Sequence, residues 1–472
     1  MPKLDLNRVP MPQQDVLKRS KNFEEVAVGY DPKQAADEAK RCIQCPRQPC
    51  IDGCPVNIDI PGFIEALHEG DMPTAVRILK STNALPGICG RVCPQETQCE
   101  EVCTLAKRKA PVAIGRLERY VADWERDNQQ PADEPRDDQP TPSGKRVAVV
   151  GSGPAGLAAA ATINKLGHDV TIFEALHVAG GVLMYGIPEF RLPKEIVQAE
   201  VDYVTSLGVE LVLDAVIGKI DTVDELLADG YDAVFLSTGA GLPMFMDLPG
   251  ENLCGIYSAN EFLTRTNLMK AYRFPEYETP VRVGKRVAVI GGGNVAMDAA
   301  RCALRLGAGQ VNVIYRRSEL EMPARREEVE NAMEEGIIFK FLTNPTRFIG
   351  DEHDWVSSME CIEMELGEPD DSGRRRPIPK DGSEFIMGID TVVIALGTTP
   401  NPLIAATTEG LETTRRGTVV ADETTGRTDK PGVWAGGDVV TGAATVISAM
   451  GAGKRSAADI DAFLRGEPTA TT

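Results

Sequence analysis

The chain has 472 residues, 42% of them hydrophobic and 25% charged, which is ordinary for a globular protein and long enough for about three domains. A formal net charge of −20 disfavours nucleic acid and acidic membranes as partners, because both are bound by basic surfaces. The N-terminus has no apolar signal segment, and no apolar run approaches the roughly 18 residues of a membrane span. We therefore expect a cytoplasmic protein with no membrane or nucleic-acid partner.

Most of the cysteines lie in the first quarter of the chain, where they form the patterns C-x2-C-x4-C-x3-C-P and C-x3-C-x5-C-x3-C. The residues are Cys42, Cys45, Cys50, Cys54, Cys89, Cys93, Cys99 and Cys103. Clustered thiols without a secretory signal are more often metal ligands than disulfides. Ferredoxins bind 4Fe-4S clusters with a similar run ending in Cys-Pro, whereas Cys-x2-Cys also begins zinc ribbons. We predict two 4Fe-4S clusters, with zinc as the main alternative.

The cysteine region ends at a stretch that predicts a linker. Helical patterns cover residues 61–80 and 111–125 within the region 1–127. Residues 128–143 are rich in proline, aspartate and glutamine and lack apolar periodicity. The linker therefore separates a cysteine domain from the rest of the chain.

Beyond the linker the chain repeats itself. GKRVAVVGSGPAGLAAAA starts at Gly144 and GKRVAVIGGGNVAMDAAR at Gly284. Each copy reads as a buried strand, a glycine turn and an alanine-rich helix. Further strands are predicted over residues 169–174, 231–240, 311–317, 390–397 and 433–438. Strands that alternate with helices indicate a parallel α/β architecture with two nucleotide-binding units.

The first glycine loop predicts a dinucleotide site. Gly151, Gly153 and Gly156 form G-x-G-x-x-G, which permits a tight turn, close approach of a pyrophosphate and packing of helix on strand. The phosphates would lie at the N-terminus of the following helix, which includes Pro154 and Ala155. Glu174 ends the next strand, where its carboxylate can accept hydrogen bonds from a ribose.

The second glycine loop predicts a phosphorylated nucleotide. Gly291 and Gly293 precede Ala296, and alanine is accepted at the helix-packing position. The next strand ends in Arg316 and Arg317 instead of an acidic residue. Guanidinium groups suit a 2′-phosphate, so this loop favours NADPH over NADH. With FAD at the first loop, hydride transfer needs alignment of the two rings and no acid–base pair, and we predict no catalytic side chain.

These motifs resemble a known family. The two cysteine groups occur together with GSGPAG, GGVLMYGIPEFRLPK, GGGNVAMD, YRRSELEMPARREE, ALGTTPN and AGGDVVTGAATVISAMGAGK. In this combination the chain resembles the small (beta) subunit of bacterial NADPH-dependent glutamate synthase, and it is similar to the N-terminal half of dihydropyrimidine dehydrogenase. The resemblance implies an α-helical iron–sulfur domain followed by two Rossmann-like, parallel-sheet dinucleotide domains, one inserted in the other.

The resemblance also implies domain limits and cofactor contacts. The iron–sulfur domain would span 1–127, the FAD domain 144–280 and 391–472, and the NADPH domain 281–390. FAD contacts are implied at Gly181, Arg191, Gly437, Asp438 and Thr445, in addition to the first loop and Glu174. NADPH contacts are implied at Asn294, Val295, Arg316, Arg317, Arg325 and Gly397, in addition to Gly291 and Gly293.

For the clusters, the resemblance implies a ligand set that crosses between the two cysteine groups. One cluster would be bound by Cys42, Cys45, Cys50 and Cys103. The other would be bound by Cys54, Cys93, Cys99 and Glu118, leaving Cys89 spare. The fourth ligand of this second cluster remains open between Glu118 and Cys89, because a helical glutamate is by default a solvated charge.

The resemblance implies that this chain takes electrons from NADPH and supplies them to a partner subunit. Hydride from NADPH would reduce FAD, and single electrons would pass through the clusters to a large (alpha) subunit that carries FMN and makes L-glutamate from L-glutamine and 2-oxoglutarate. An NADPH-dependent reductase subunit for another acceptor, such as a ferredoxin or a pyrimidine-reducing partner, is the alternative. A non-catalytic scaffold that keeps the nucleotide folds for shape is a further, weaker alternative.

Overall fold

The computed structural model describes residues 5–128, 141–370 and 373–467. The helices of this part are α1 (Val16–Arg19), α2 (Pro32–Ala39), α3 (Pro49–Asp52), α4 (Ile60–Glu69), α5 (Met72–Thr82), α6 (Pro86–Val92), α7 (Ile114–Asn128), α8 (Pro154–Lys165), α9 (Val182–Tyr185), α10 (Lys194–Ser206), α11 (Val223–Ala228), α12 (Ala259–Asn267), α13 (Asn294–Arg305), α14 (Arg326–Glu334), α15 (Leu403–Thr407), α16 (Asp438–Thr441) and α17 (Val446–Leu464). None of these described helices combines the length and apolar character needed to cross a membrane.

The strands of the same part are β1 (Arg146–Val150), β2 (Asp169–Phe173), β3 (Glu210–Val212), β4 (Ala233–Leu236), β5 (Leu242–Pro243), β6 (Ile256–Ser258), β7 (Arg286–Ile290), β8 (Gln310–Ile314), β9 (Ile338–Lys340), β10 (Thr343–Gly350), β11 (Val356–Pro369), β12 (Arg375–Pro379), β13 (Phe385–Gly388), β14 (Thr391–Ile394), β15 (Thr398–Thr399) and β16 (Val433–Ala435). Short 3-10 helices cover Gln95–Thr97, Ala271–Arg273 and Glu319–Glu321.

Helices α2 to α7 form the cysteine unit, residues 5–128. The predicted helix over 61–80 is two helices, because Gly70 ends α4 with φ of 82° and Asp71 caps α5 by accepting a hydrogen bond from the Thr74 N–H at 3.1 Å. Phe63 and Leu85 are fully buried in its core. The predicted linker, 128–143, lies mostly outside the described residues.

The first α/β unit contains a parallel sheet of order β16-β4-β1-β2-β3. The run VAVV of β1 is buried at its centre, paired with β2 through Val147↔Val170 and with β4 through Val147↔Ala233. Helices α8 and α17 pack against each other beside this sheet. The predicted parallel α/β architecture is confirmed here.

The second α/β unit contains a parallel sheet of order β6-β14-β7-β8-β9. It is inserted between β4 and β16 of the first sheet, as predicted. The predicted limits of 281 and 390 differ from the structure, because β6, at Ile256–Ser258, and β14, at Thr391–Ile394, both belong to this sheet. Adjacent strands of a parallel sheet need not be consecutive in sequence, which is why sequence order misplaced these boundaries.

An antiparallel sheet, β10-β11-β12 with β13 paired to β11, follows β9. Sequence analysis assigned no structure to this segment, in which β11 contains Gly367 and ends at Pro369. The chain passes between the two α/β units at β5 and β15, which pair antiparallel through Thr398↔Pro243.

Candidate functional site

The first glycine loop has the shape of a phosphate cradle. A Cβ at Gly151, where φ is 103°, would lie 2.6 Å from the Ser237 carbonyl oxygen, and one at Gly156 would lie 2.0 Å from the Gly151 carbonyl oxygen. A Cβ at Gly153 would meet no atom within 4 Å. The first and third glycines are therefore required by packing, whereas the second faces open space where a ligand can approach.

Helix α8 begins directly after Gly153 at Pro154 and Ala155, and no side chain caps its N-terminus. Uncapped N–H groups and the positive end of the helix dipole are suited to an anion. The twelve-residue helix and the open position at Gly153 together fit the pyrophosphate of a dinucleotide such as FAD.

Glu174 is 6% exposed and faces the same loop. Its carboxylate accepts hydrogen bonds from the backbone N–H groups of Ser152, at 2.9 Å, and Leu176, at 2.8 Å, and from the Ser152 hydroxyl. Gly181, with φ of 53°, lies beside the loop, since a Cβ there would be 3.0 Å from the Gly153 Cα. Both predicted residues are therefore next to the cradle.

A segment near the C-terminus packs against the first glycine loop and helix α8. A Cβ at Gly437, where φ is 78°, would lie 3.0 Å from the Ala155 Cβ. The following residue, Asp438, begins α16, and burial raises its pKa to about 6. Thr445 caps α17 by accepting the Ser448 N–H at 3.2 Å. The structure thus brings these three predicted residues to the first loop or to the helix beside it.

Arg191 lies elsewhere. Its Nη1 contacts both carboxylate oxygens of Asp298 at 2.7 Å, and its Nε lies 3.2 Å from Glu328. These carboxylates belong to α13 and α14 of the second α/β unit. The guanidinium is therefore engaged between the two units, and its role as an FAD contact stays a prediction.

The second glycine loop repeats the geometry of the first. A Cβ at Gly291 would lie 2.3 Å from the Ala395 carbonyl oxygen, whereas one at Gly293 would meet nothing closer than a Pro323 carbon at 4.0 Å. Gly397, with φ of 115°, follows Ala395 after β14. The loop is tight where it packs and open at its second glycine, as a nucleotide requires.

Helix α13 begins at Asn294, and no side chain caps its N-terminus. The neighbouring Val295 is 50% exposed. The Asn294 side-chain oxygen accepts the backbone N–H of Arg325 at 2.9 Å. This hydrogen bond ties the loop to the segment that precedes α14.

The three predicted phosphate-binding arginines are in different environments. Arg316 is exposed and, among the described residues, has no hydrogen-bond or ion-pair partner. It follows Tyr315, whose ring packs against Gly292 of the loop. Arg317 is 6% exposed and donates to the Arg375 carbonyl at 2.7 Å and to Asp370.

The side chain of Arg325 is also engaged, because it donates to residues of the cysteine unit. Of the three arginines, only Arg316 is therefore free to meet a nucleotide without first losing a protein contact. A phosphate role for Arg317 and Arg325 stays a prediction.

Four cysteines form an outer set: Cys42, Cys45, Cys50 and Cys103. All four line one apolar cavity and are partly exposed. Burial, together with the neighbouring Cys42 and Cys103 thiols, raises the pKa of Cys50 to about 12. A bound iron ion would reverse this preference, because metal ligands bind as thiolates. The grouping agrees with the first predicted ligand set.

The other four cysteines and Glu118 form an inner set: Cys54, Cys89, Cys93, Cys99 and Glu118. All are buried. Burial raises the pKa of Cys54 to about 11, with smaller contributions from Glu118 and Cys89. These side chains therefore lie near one another, and their role as ligands of the second cluster stays a prediction.

Glu118 and Cys89, the two candidates for the fourth ligand, share one neighbour. The Asn83 side-chain Nδ2 donates to Glu118 at 2.7 Å, and the Cys89 thiol lies 3.7 Å from the Asn83 side-chain Oδ1 and 3.5 Å from the Met450 sulfur. Burial raises the pKa of Glu118 to about 8. Both candidates lie within the inner set, and sequence analysis had not singled out Asn83.

The spacing of these side chains bears on what they could bind. In the described residues, no three histidine, cysteine, aspartate or glutamate side chains are as close together as one metal ion would require. A cubane binds each thiolate through a separate iron atom, so its ligands lie further apart than those of tetrahedral zinc. The distances between these side chains, larger than a single metal ion allows, are therefore compatible with 4Fe-4S clusters.

Helix α17 connects the surroundings of the first glycine loop with the inner cysteine set. Near its beginning, Ala449 packs against Gly437. The next residue, Met450, contacts Cys89, and a Cβ at Gly451 would lie 2.7 Å from the Pro55 carbonyl oxygen. Further along, the Lys454 amine donates to the carbonyls of Val56, at 3.0 Å, and Thr82, at 2.6 Å. Sequence analysis missed these roles, which no local pattern signals.

Family comparisons agree with this division of the chain. Residues 19–130 match the model described as dihydropyrimidine dehydrogenase domain II, 4Fe-4S cluster, and residues 145–453 match the pyridine nucleotide-disulphide oxidoreductase model. The chain belongs to the pyridine nucleotide-disulphide oxidoreductase family. It is an oxidoreductase of this family with an N-terminal iron–sulfur domain.

Within the pyridine nucleotide-disulphide oxidoreductase family, the chain is 37% identical to the glutamate synthase [NADPH] small chain of Escherichia coli, an alignment that covers 96% of each chain. It is 43% identical to the NADP(+)-dependent formate dehydrogenase subunit beta of Moorella thermoacetica, over 90% of this chain and 61% of that one. The chain thus spans less than two thirds of the latter. The predicted resemblance to glutamate synthase small chains is confirmed.

Two solved structures share the fold. FprA of Mycobacterium tuberculosis in complex with NADPH superposes with a TM-score of 0.57 at 21% identity, covering 70% of this chain and 87% of that one. Thioredoxin reductase of T. acidophilum gives 0.50 at 22% identity, covering 67% and 97%. At these identities the likeness concerns the fold alone.

Proposed function

We propose that the chain is the electron-input subunit of a glutamate synthase. FAD would bind at the first glycine loop, NADPH at the second, and 4Fe-4S clusters at the outer and inner cysteine sets. With these groups bound, FAD would accept hydride from NADPH, and the electrons would leave one at a time through the clusters. The recipient would be an FMN-containing large subunit that makes L-glutamate from L-glutamine and 2-oxoglutarate.

The observation that carries the proposal is the position of α17. Its N-terminal turn packs on Gly437 beside the predicted flavin pocket, and its next residues contact Cys89 and Pro55 beside the inner cysteine set. Electron transfer needs cofactors close together and held rigidly, which one continuous helix provides. The inner set would accept electrons first, and the partly exposed outer set would pass them to the partner.

The side chains of this chain have binding and positioning roles. Phosphates would bind at the open positions beside Gly153 and Gly293, and Glu174, beside the first loop, would accept hydrogen bonds from a ribose. Arg316 would bind the 2′-phosphate through a charge-assisted contact. No side chain is needed as an acid or base, because hydride transfer depends on alignment.

Similarity over 96% of both chains favours glutamate synthase among the possible assemblies. The higher identity to a formate dehydrogenase beta subunit favours the alternative, a reductase subunit for another acceptor. Acceptor choice resides in the partner, so the two proposals share the same chemistry within this chain.

The first test uses the purified full chain alone. We expect bound iron, sulfide and flavin, and a visible spectrum that bleaches on anaerobic addition of NADPH. A colourless protein that NADPH does not reduce would instead support the scaffold alternative.

The second test adds the partner. Co-expression with a glutamate synthase large subunit should give NADPH-dependent glutamate formation, and the chain alone should form none from glutamine and 2-oxoglutarate. Glutamate formation by the chain alone would refute the proposal. Reduction by NADPH without association with the large subunit would favour the reductase alternative.

A further inference from the structure

Arg325 precedes α14 and contacts two sites that lie far apart in the chain. It is one of three arginines that the resemblance to glutamate synthase small subunits links to the nucleotide phosphate. Its side chain is 8% exposed. A buried guanidinium is energetically unfavourable unless its N–H groups are satisfied, so its partners indicate what it does.

On one side, backbone N–H groups of the segment around Arg325 form hydrogen bonds with the second glycine loop. The Ala324 N–H donates to the Gly292 carbonyl at 3.2 Å, and the Arg325 N–H donates to the Asn294 side-chain oxygen at 2.9 Å. A movement of the glycine loop on nucleotide binding would therefore be transmitted to Arg325.

On the other side, the guanidinium reaches the cysteine unit. Its Nε donates to Glu96 at 3.2 Å, its Nη1 to the Arg91 carbonyl at 3.3 Å, and its Nη2 to the Gln95 side-chain oxygen at 3.2 Å. The planar fork of arginine can make these three contacts at once, which a lysine ammonium cannot reproduce.

The residues that receive these hydrogen bonds flank the inner cysteine set. Gln95 and Glu96 lie in the five-residue stretch between Cys93 and Cys99. Gln95 also donates to the Cys89 carbonyl at 3.1 Å and packs tightly against Gly115, where a Cβ would lie 2.2 Å from its amide nitrogen. Gln95 therefore contacts both Arg325 and residues beside the inner cysteine set. A movement of the Arg325 guanidinium would shift Gln95 and, with it, the loop between Cys93 and Cys99.

We propose that Arg325 is a positioning residue that couples the second glycine loop to the inner cysteine set, so that nucleotide binding changes the environment of the cluster held there. The coupling goes beyond electron transfer itself, although it rests on the proposed function because it needs both a nucleotide and a cluster. Hydrogen bonds around cluster ligands tune cluster properties, so the effect is measurable.

The test uses the full chain with its clusters, reduced by dithionite without oxygen, and 2′,5′-ADP as a nucleotide probe that cannot transfer hydride. Electron paramagnetic resonance of the reduced clusters is recorded without probe and at saturating probe. In the wild-type chain we expect the probe to change the signal of one cluster.

Three variants separate the possibilities. Arg325→Gln should bind the probe yet lose the probe-induced change, and Glu96→Gln should weaken the change from the opposite side of the contact. Arg316→Gln should need more probe but show the full change at saturation. Arg326→Gln, at the exposed neighbouring position, is the matched control and should behave as wild type.

Two results would overturn the inference. One is a wild-type chain that contains iron and binds the probe but shows no signal change. The other is an Arg325→Gln variant that keeps the change, or that binds the probe about tenfold more weakly or worse, as loss of a phosphate contact predicts. If Arg325→Gln does not fold, Glu96→Gln decides. A wild-type chain without iron or nucleotide binding would instead refute the proposed function.

Discussion

At the scale of single residues, neighbouring arginines have different roles that their identity does not reveal. Arg316 is exposed beside the second glycine loop, whereas Arg317, the next residue, is buried against Asp370 and the Arg375 carbonyl. Both residues lie in the bend that follows β8, where the fold buries Arg317 and leaves Arg316 exposed. Only one of the pair can therefore face a nucleotide from this strand end.

Arg316→Gln should therefore raise the Kd for NADPH and leave that for NADH nearly unchanged. A charge-assisted hydrogen bond contributes about 1.5–3 kcal/mol, so we expect roughly a tenfold to hundredfold loss for NADPH. Flavin reduction by each nucleotide, measured in the stopped flow, gives both constants. Equal losses for the two nucleotides would contradict a 2′-phosphate role.

A buried ion-pair network in the second α/β unit centres on Glu335. Its carboxylate pairs with Arg301 and Arg305 at 2.7 Å and has no exposed side-chain surface. Burial alone would raise its pKa, but hydrogen bonds from Arg305 and Arg301 hold that pKa at about 2. A folded pKa below the unfolded value means that Glu335 stabilises the fold above about pH 4.5. This stabilisation is lost as pH falls toward 2.

Glu335→Gln should lower the free energy of unfolding by about 3 kcal/mol at pH 7, because it leaves buried guanidinium groups without their counter-ion. The difference from wild type should shrink between pH 5 and pH 3. Glu330→Gln is the matched control, since Glu330 is exposed on the same helix, α14, and forms no ion pair among the described residues. Urea unfolding at each pH measures both; a pH-independent difference would contradict the linkage.

At the scale of elements, the two strand–loop–helix units use their glycines alike. The first glycine of each loop is confined by a neighbouring carbonyl, and the second, Gly153 or Gly293, faces open space. Neither of these two has a positive φ. An alanine there should therefore be compatible with the fold but would occupy space that a phosphate needs.

Gly153→Ala should reduce bound flavin and leave NADP⁺ binding intact, whereas Gly293→Ala should weaken NADP⁺ and leave flavin bound. Each variant is the control for the other, and circular dichroism should match wild type in both. Flavin content and calorimetric titration with NADP⁺ are the measurements. Loss of both ligands from one variant would mean that the substitution disturbs the fold.

At the scale of the whole molecule, a single lysine joins the first and last parts of the chain. Lys454 on α17 donates to the carbonyls of Val56 and Thr82, and Val56 is 398 residues away in sequence. Burial lowers the pKa of Lys454. This contact fastens the cysteine unit to the helix that begins at the predicted flavin pocket.

Lys454→Gln should loosen this contact and expose the inner cysteine set. Since hydrogen bonds from a charged donor contribute about 1.5–3 kcal/mol each, local opening should become at least about tenfold more frequent. Iron release to a chelator, followed by absorbance, should accelerate accordingly while flavin stays bound. Arg455→Gln, at the exposed adjacent position, is the matched control, and equal acceleration in both would contradict the role of Lys454.

Much of the candidate site could be predicted from the sequence, because the residues that form each glycine loop are contiguous in the chain. A buried strand, a glycine turn and a helix are contiguous, so VAVVGSGPAG determines both the loop at Gly153 and the helix that follows it. The cysteine spacing likewise predicted iron–sulfur binding, whereas the family was recognised only from the combination of motifs along the chain. The positions of Gly181 and Gly437 beside the first loop were inferred only through resemblance, because they come from distant segments.

The amino-acid sequence by itself determined the parallel α/β architecture, and its resemblance to a known family indicated the inserted arrangement and the oxidoreductase activity. Tertiary structure alone decided the partners of Arg191, Arg317 and Arg325, the limits of the second α/β unit and the neighbours of Glu118. The physical reason is the range of the interactions. Periodicity and turn geometry act over a few residues, whereas a buried charge is satisfied by whichever segment the fold brings beside it.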